Sequence, residues 1–438
     1  MTHSQPKRVV VTGMAVFTPM GETLEQFWDN LIAGKSGITN WKTVDSSKIY
    51  SKVGGDLDPD YKAILASLKD RLPDAKHAHL RKIFKSAPFS AKVGLISALN
   101  AWKHAGFEVG GAATSSPFET SVIVGGHNFN QRYTAQNHDN FLQDPEYVDG
   151  LYALVGLDTY IPAAIADMLG SRGPVYTIGG ACASTNLALR DALNEIRYHD
   201  GKVSVVAGAP FDFGVLDLQS MCFIDAITFK SYNDRPAAAC RPYDANREGF
   251  VPTYGAGTLV VEELDHALAR GATIYAEVLG VQANWDANHL PQPSAVGQAA
   301  LIRDLLRRCG LKPSDIDYIN AHATSTPMGD LEELKAIQDV FGDHVEKLKI
   351  NATKSMTGHC CWSAPVVESI AGILQMNRNM LHPSINIDTL DPHVKVDVCA
   401  NRPVEWTINT FLKNSFGFSG INCCAVFRKY RGPGSVVA

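Results

Sequence analysis

Cys182 has surroundings that suit covalent chemistry. A β-type run, Val175–Ile178, ends at Gly179 and Gly180, and the residues after Cys182 have the spacing of a helix with one buried face. The thiol is therefore predicted at a helix N-terminus, where unpaired N–H groups favour a thiolate and lower the thiol pKa. The alternative is a cysteine that merely packs as a small buried side chain.

Two histidines later in the chain stand where they could assist such a thiol. His322 follows a predicted strand at 317–320, and His359 ends a polar loop before a helix. The carboxyl ends of strands are where α/β proteins bind ligands. Asp330 is predicted to cap the next helix, with Glu333 completing a capping box. A thiol and two imidazoles on such loops indicate a nucleophile with two hydrogen-bonding partners.

The elements that must position these residues alternate between β-type and helical runs, with glycines between them, which is typical of an α/β protein. Strands are predicted at 8–12, 120–124, 175–178, 203–207, 258–262, 273–279, 317–320 and 423–427. Helices are predicted at 24–33, 87–105, 160–169, 183–198, 299–309, 331–341 and 366–376. We expect two halves, 1–265 with the cysteine and 266–438 with the histidines.

Composition narrows the class of protein. The chain is 45% hydrophobic and 19% charged with a net charge of −5, which indicates a globular protein and disfavours nucleic-acid binding. No apolar run approaches the ~20 residues that span a bilayer. Nine cysteines without a CxxC pair predict a reduced, cytoplasmic protein with no metal site. The basic residues Arg81, Lys82 and Lys85 suit either a solvated helix face or a dock for an acidic partner.

The motifs around these residues carry a family resemblance. Four of them resemble the β-ketoacyl-acyl-carrier-protein synthases of the elongating type, in the thiolase superfamily: Gly-Ala-Cys182-Ala-Ser, Asn-Ala-His322-Ala-Thr-Ser-Thr-Pro-Met-Gly-Asp, Ala-Thr-Lys354-Ser-Met-Thr-Gly-His359 and Asn414-Ser-Phe-Gly-Phe-Ser-Gly-Ile-Asn422. The likeness extends over essentially the whole chain. It implies a thiolase-like fold of two similar α/β halves in a five-layered αβαβα arrangement.

The resemblance also implies an activity and roles. Cys182 would hold an acyl chain, and His322 and His359 would stabilise the enolate left when a malonyl-acyl-carrier protein loses CO2, giving a β-ketoacyl-carrier protein by Claisen condensation. Lys354 would orient His359. Backbone N–H groups of Cys182 and Phe418 would form the oxyanion hole, with the Phe418 side chain as a gate.

Further roles follow from the same resemblance. Thr324 and Thr326 would bind the pantetheine arm, and Arg81 and Lys82 would meet the acidic acyl carrier protein. The substrates would arrive on that arm, with no bound cofactor. The implied assembly is a homodimer, or a heterodimer with a related ketosynthase-like subunit, with no nucleic acid and no membrane span.

Departures from the family pattern concentrate near the predicted acyl pocket, which comprises His127, Phe250, Trp362 and Ser419. Trp362 stands where a glycine is usual, and Ser419 where the gate loop commonly has another residue. Outside that pocket, Thr185 replaces a glycine and Tyr254 an acidic residue. We therefore expect polyketide or specialised fatty-acid biosynthesis.

Several alternatives remain open from the sequence. The first is a malonyl-carrier decarboxylase or a non-elongating acyltransferase of the same fold; Cys182 argues against a relative that only decarboxylates. The others are a non-catalytic partner subunit, a Cys–His hydrolase, and a metal-binding protein that uses His359, Cys360 and Cys361.

Overall fold

The computed structural model describes residues 6–111, 115–290 and 292–436. The strands are β1 (Val9–Phe17), β2 (Thr39–Asn40), β3 (Val53–Gly54), β4 (Thr120–Gly125), β5 (Val175–Ile178), β6 (Val203–Gly208), β7 (Ala256–Glu263), β8 (Ala276–Trp285), β9 (Tyr318–Asn320), β10 (Lys349–Asn351), β11 (Met380–Leu381), β12 (Val404–Glu405), β13 (Thr410–Gly417) and β14 (Ile421–Arg428).

The helices are α1 (Leu24–Ile32), α2 (Tyr61–Leu68), α3 (Asp74–Ser86), α4 (Phe89–His104), α5 (Gln131–Gln143), α6 (Tyr152–Val155), α7 (Tyr160–Leu169), α8 (Ser184–Tyr198), α9 (Val215–Phe223), α10 (Leu264–Ala269), α11 (Ala295–Arg308), α12 (Pro327–Phe341), α13 (Lys354–Thr357) and α14 (Ala364–Arg378).

The main sheet is built from the same five-stranded unit twice. One unit has the order β5-β4-β6-β7-β1 and the other has the order β10-β9-β13-β14-β8. In each unit the first three strands run parallel and the last two pairings are antiparallel. A short antiparallel pairing of β1 with β8 joins the units into ten strands. This repeat confirms the predicted thiolase-like fold of two similar halves, whereas the boundary at residue 265 stays a prediction.

Helices form three layers around the two units. In the middle, α8 and α14 contact each other and strands of both units, and both contribute to one apolar core. On the outside, α4 and α7 pack on the first unit around a second core, and α11 and α12 pack on the second unit around a third. Every residue of α14 except Arg378 is buried, as expected of a helix enclosed by sheets on both sides.

The predicted elements agree with the observed ones where apolar periodicity is strong. The strand at 175–178 and the helix at 160–169 have the predicted bounds, and most others differ by a few residues. The strands β10 and β13 were not predicted, because their sequences carry polar residues that resemble loops. Lys413, Asn414 and Ser415 are fully buried in β13, where tertiary contacts satisfy them.

Candidate active site

Cys182 lies in a tight turn that leads into a central helix. Residues 181–183 form a single 3₁₀ turn directly before α8, and Ala181 has a left-handed backbone with φ of +45°. The Gly180 N–H donates to Ser184 Oγ at 2.9 Å, and that hydroxyl donates to Ala181 O at 2.7 Å. These bonds hold the turn, so the thiol is presented at the start of the helix as predicted.

The protonation of that thiol differs from the prediction. Burial raises the pKa of Cys182 to about 12, and the nearby Lys354 ammonium and the backbone N–H groups of Cys182 and Phe418 lower it only in part. The expectation of a lowered pKa is therefore wrong, because loss of hydration outweighs the helix terminus. The two N–H groups nevertheless lie at the sulfur, in the arrangement predicted for an oxyanion hole.

His359 is held by backbone contacts on both sides. Its N–H donates to Val251 O at 2.7 Å, and its carbonyl accepts from the Thr253 N–H at 3.0 Å. The preceding Gly358 has φ of +66°, and a Cβ there would lie 2.0 Å from Thr253 Oγ1. Only glycine fits this turn, both for its left-handed backbone and for lack of space.

Hydrogen bonding determines which nitrogen of His359 carries the proton. The Cys361 N–H donates to Nδ1 at 3.2 Å, so Nδ1 is an acceptor and the neutral ring carries its proton on Nε2. Among the described residues, Nε2 has no hydrogen-bond partner although it is buried. The ring therefore offers an unused N–H donor.

His322 also carries its proton on Nε2, but here the donor to Nδ1 is a lysine side chain. Lys354 Nζ lies 3.3 Å from His322 Nδ1 and donates to the His322 carbonyl at 2.6 Å. An ammonium can only donate, so Nδ1 accepts and Nε2 carries the proton. The predicted partner of Lys354 is therefore wrong: it contacts His322 rather than His359. The two imidazoles lie 5.6 Å apart, nearly perpendicular.

Buried charges keep both rings neutral. Glu368 of α14 lies between two lysines, 2.6 Å from Lys354 Nζ and 2.6 Å from Lys413 Nζ, and all three side chains are buried. Burial lowers the pKa of His322 and of His359 well below the ordinary value, and the two ammonium groups lower it further. Both histidines are therefore neutral donors and not charged ones.

The loop that carries His322 is held by two carboxylates of α12. Glu333 of α12 accepts from the His322 N–H at 2.9 Å and from the Ala323 N–H at 2.8 Å. The predicted capping box is thus wrong. Thr326 caps α12, accepting from the Gly329 N–H at 3.2 Å, and Asp330 accepts from the Tyr243 and Ser325 N–H groups instead. Tertiary partners take both carboxylates because they are buried beside unpaired backbone donors.

One cavity of about 300 Å³ brings the predicted residues together. It is lined by Cys182, His322, His359, Thr324, Thr326, Phe250 and Phe418, among others. Thr324 Oγ1 and Thr326 Oγ1 lie 3.0 Å apart. Phe418 is partly exposed with its ring 6.4 Å from Phe250. An apolar cavity with a few convergent polar groups is typical of a binding site for an acylated arm.

Three of the predicted pocket residues lie elsewhere. Over the part of the chain that the structure describes, the cavity lining does not include His127, Trp362 or Ser419. His127 and Trp362 stack on each other with ring centroids 4.5 Å apart. Ser419 is exposed, with φ of +64°. Of the four predicted pocket residues, therefore, only Phe250 lines the cavity. His127 and Trp362 form the ring stack, and Ser419 lies at the surface.

Two departures from the family pattern have structural partners. Thr185 Oγ1 accepts from the Val366 N–H at 3.0 Å, so this side chain connects α8 to the first turn of α14. Tyr254 is buried in an aromatic cluster, 5.3 Å from Trp41 and 4.8 Å from Phe89. A glycine or an acidic residue would lose these contacts.

Arg81 and Lys82 are exposed on α3, while Leu80 and Phe84 of the same helix are buried. A surface groove along this helix is lined by Lys62, His77, Arg81 and Lys85 with Tyr61 and Phe84. The exposure of the basic cluster fits both alternatives, a solvated helix face and a dock, so its docking role stays a prediction.

Sequence reasoning missed the residues that support the histidines. Glu368, Lys413 and Glu333 contribute charge or hydrogen bonds but do not line the cavity over the described ranges. A signal existed for Glu368, because an acidic residue in an otherwise apolar helix is costly unless it is paired. Glu333 was noticed but assigned to a local cap.

The described residues contain neither a candidate metal site nor a helix that could span a membrane. No group of three or more His, Cys, Asp or Glu side chains there could hold a metal ion. None of the helices described is long and apolar enough to cross a membrane.

Two family models match the chain. The model described as Beta-ketoacyl synthase, N-terminal domain, matches residues 6–267, and Beta-ketoacyl synthase, C-terminal domain, matches residues 275–388. The chain belongs to the β-ketoacyl synthase family. It is an enzyme of the 3-oxoacyl-[acyl-carrier-protein] synthase type, as the motifs around Cys182, His322 and His359 predicted.

Known relatives of this β-ketoacyl synthase extend over nearly its full length. It is 32% identical to 3-oxoacyl-[acyl-carrier-protein] synthase 2 of Coxiella burnetii, covering 95% of this chain and 97% of the relative. It is also 32% identical to the polyketide biosynthesis malonyl-ACP decarboxylase PksF of Bacillus subtilis, covering 96% of each. The solved ishigamide ketosynthase/chain length factor is similar with a TM-score of 0.85 and 28% identity, covering 97% of this chain and all of that one.

Proposed function

We propose that this β-ketoacyl synthase condenses an acyl group on Cys182 with a malonyl-acyl-carrier protein and releases CO2 and a β-ketoacyl-carrier protein. The observation that carries the proposal is a single cavity containing a thiol and two neutral imidazoles that each carry a proton on Nε2. Two neutral donors suit an oxygen that becomes an enolate, because they stabilise developing negative charge without protonating the carbon.

The first step loads the thiol. The Cys182 sulfur attacks the thioester carbonyl of an acyl-carrier, the bond from carbon to the pantetheine sulfur breaks, and the thiol proton leaves on the released pantetheine thiol. The N–H groups of Cys182 and Phe418, which already lower the Cys182 pKa, stabilise the carbonyl oxygen as it becomes negative.

The second step forms the carbon–carbon bond. The malonyl carboxylate leaves as CO2, and its bonding electrons form an enolate whose oxygen accepts from His322 and His359. The enolate carbon attacks the acyl carbonyl, and the bond to Cys182 sulfur breaks. The sulfur leaves as a thiolate and then takes a proton from solvent, which restores the starting enzyme.

The remaining predicted residues support delivery of the substrates. Thr324 and Thr326 line the cavity and offer hydroxyl groups to the amides of the pantetheine arm. Phe418, partly exposed at the cavity, is the candidate gate. Arg81 and Lys82 on α3 are the candidate dock for an acidic carrier protein.

We also propose polyketide or specialised fatty-acid biosynthesis in the cytoplasm, and a homodimer or a heterodimer with a related subunit. The departures at Trp362 and His127 and the similarity to a ketosynthase/chain length factor support this assignment. The division into halves at residue 265 is part of the same proposal.

A second candidate is decarboxylation of the malonyl-carrier without condensation, or acyl transfer without elongation. The similarity to the malonyl-ACP decarboxylase favours the first of these. The thiol on the cavity wall favours condensation, because decarboxylation alone needs only the two donors.

The test incubates the purified enzyme with malonyl-carrier, with and without an acyl-carrier primer. Mass spectrometry of the carrier products and of the intact enzyme follows the reaction. We expect a β-ketoacyl-carrier and an acyl adduct in the wild type, and neither in Cys182→Ala. Cys309→Ala, which removes a partly buried thiol outside the cavity lining, is the matched control. CO2 release without any C–C product or adduct would assign the decarboxylase instead.

A further inference from the structure

A pair of stacked rings lies beside the loop that carries Cys182. The imidazole of His127 and the indole of Trp362 lie 4.5 Å apart at an angle of 27°. Phe211 packs against the indole with centroids 5.1 Å apart. We refer to His127 and Trp362 as the rear stack.

Two glycines show how closely the rear stack fits the nucleophile loop. A Cβ added at Gly179 would lie 3.0 Å from His127 Cδ2, so the imidazole lies against the backbone three residues before Cys182. A Cβ added at Gly126 would lie 3.0 Å from Trp362 Cδ1, so the indole lies against the backbone next to His127. The rings occupy space that larger residues at these two positions would need.

The rear stack also adjoins the turn that contains Cys182. The 3₁₀ turn at 361–363 carries Trp362 and contacts the 3₁₀ turn at 181–183. Across the described residues, neither ring of the stack lines the cavity that reaches Cys182. The cavity lining includes instead the two histidines, the two threonines, Phe250 and the Phe416–Phe418 segment, among others. The rear stack is therefore separate from the cavity and lies against the loop that leads into Cys182.

We propose that the rear stack closes the acyl side of this site and restricts Cys182 to a short acyl group such as acetyl. The inference rests on the proposed function, since it concerns the chain held during condensation. A long chain would have to separate His127 from Trp362 and move the indole off Phe211. Close-packed interiors resist such displacement, because the surrounding side chains have no free volume to receive it.

The test compares acetyl-carrier with octanoyl-carrier as donors to Cys182. Intact-protein mass spectrometry follows the rate of each adduct. We expect the wild type to prefer acetyl by about a hundredfold or more, since single methylene groups in a closed pocket already discriminate by about tenfold. Trp362→Ala should raise the octanoyl-to-acetyl ratio by about tenfold or more, and Trp362→Phe by less because a ring remains.

The controls separate this inference from the proposed function. Trp28→Ala removes a half-buried indole on α1 that lies over Arg378, and it should leave the ratio unchanged. His127→Ala opens the stack from its other side and should raise the ratio if Trp362→Ala does not fold. Equal wild-type rates with both donors overturn the restriction while leaving the proposed function intact. No adduct with either donor and no condensation overturn the proposed function itself.

Discussion

The central helices α8 and α14 begin with the same backbone conformation in the two halves, but the side chains at these positions differ. Both α8 and α14 contain 15 residues and follow a single 3₁₀ turn. Each turn begins at a residue with a left-handed backbone, Ala181 with φ of +45° and Cys361 with φ of +48°. The repeated strand order therefore extends to the backbone of these turns.

The side chains at matching positions of the two turns and helices differ in size and charge. Counting from the left-handed residue, Cys182 in the first half matches Trp362 in the second. Six residues after each of these, the buried Ala188 matches Glu368, which pairs with Lys354 and Lys413. One half thus presents a nucleophile beside small residues, while the other supplies bulk and buried charge. The comparison shows that the same backbone turn can carry a thiol in one half and an indole followed by a buried carboxylate in the other.

The largest expected effect comes from removing a donor of the second half. His359→Ala should slow CO2 release from malonyl-carrier by about 10²–10³-fold, since the Nε2–H is lost, while the acyl adduct still forms on Cys182. Radiolabelled CO2 and intact mass measure the two steps separately. His393→Ala, which removes an exposed imidazole, is the control. Equal loss of both steps in a folded variant would contradict the division between the halves.

The second-largest effect is expected on stability, from removing the negative charge of Glu368 on α14. Glu368→Gln should lower the free energy of unfolding by about 3–5 kcal/mol, because it leaves two buried ammonium groups without their carboxylate. Urea unfolding gives the value. Asp339→Asn, which breaks an exposed pair with Arg303, should cost less than about 1 kcal/mol. If both variants lower the free energy of unfolding equally, the buried ion pairs of Glu368 contribute no more to stability than an exposed pair does.

A smaller effect is expected in how the free energy of unfolding depends on pH. Burial lowers the pKa of His382, close to the second-half site, to about 4. The unfolded chain, with an ordinary value near 6.5, binds more protons between these limits, so the free energy of unfolding falls as pH falls from about 6.5 to 4. At about 1.4 kcal/mol per unit, His382 accounts for roughly 3 kcal/mol of this loss.

His382→Gln should flatten that dependence, as measured by urea unfolding at several pH values. The exposed His138 of the first half gives the matched variant, His138→Gln, which should keep the wild-type slope. If the free energy of unfolding of His382→Gln depends on pH as strongly as that of the wild type, His382 is not the source of the loss.

The smallest effect tests the contact between the two central helices. Thr185→Val removes the hydroxyl that accepts from the Val366 N–H and should cost about 1–2 kcal/mol, since a buried donor is left unpaired. Thr185→Ser keeps the hydroxyl and should recover most of the loss. Thermal unfolding of the two variants provides the measurement, and equal losses would show that the methyl group matters instead of the bond.

Prediction from the sequence was most complete for elements with a regular apolar pattern. The helix at 160–169 has the predicted bounds because its burial follows local periodicity, and the strand at 175–178 ends, as predicted, at the two glycines that follow it. By contrast, β13 carries Lys413, Asn414 and Ser415 at buried positions. Their partners lie far away in sequence, so no local pattern could indicate a strand.

The same limit applies to the candidate site. Motifs around Cys182, His322 and His359 were enough to predict a common cavity, which the structure has. They gave the wrong partner for Lys354 and the wrong direction for the Cys182 pKa. Both errors concern burial and distance between segments, which spacing along the chain does not encode.

Local motifs and periodicity were sufficient to predict the family, the repeat of strand–loop–helix units and the meeting of Cys182, His322 and His359, because these features are properties of short segments. The tertiary structure alone decided what state those side chains adopt. It placed Glu368 between two lysines, engaged Nδ1 of both imidazoles so that each Nε2 carries the proton, buried the thiol, and stacked His127 on Trp362. Protonation and pocket shape depend on all neighbours in space, and those neighbours come from both halves of the fold.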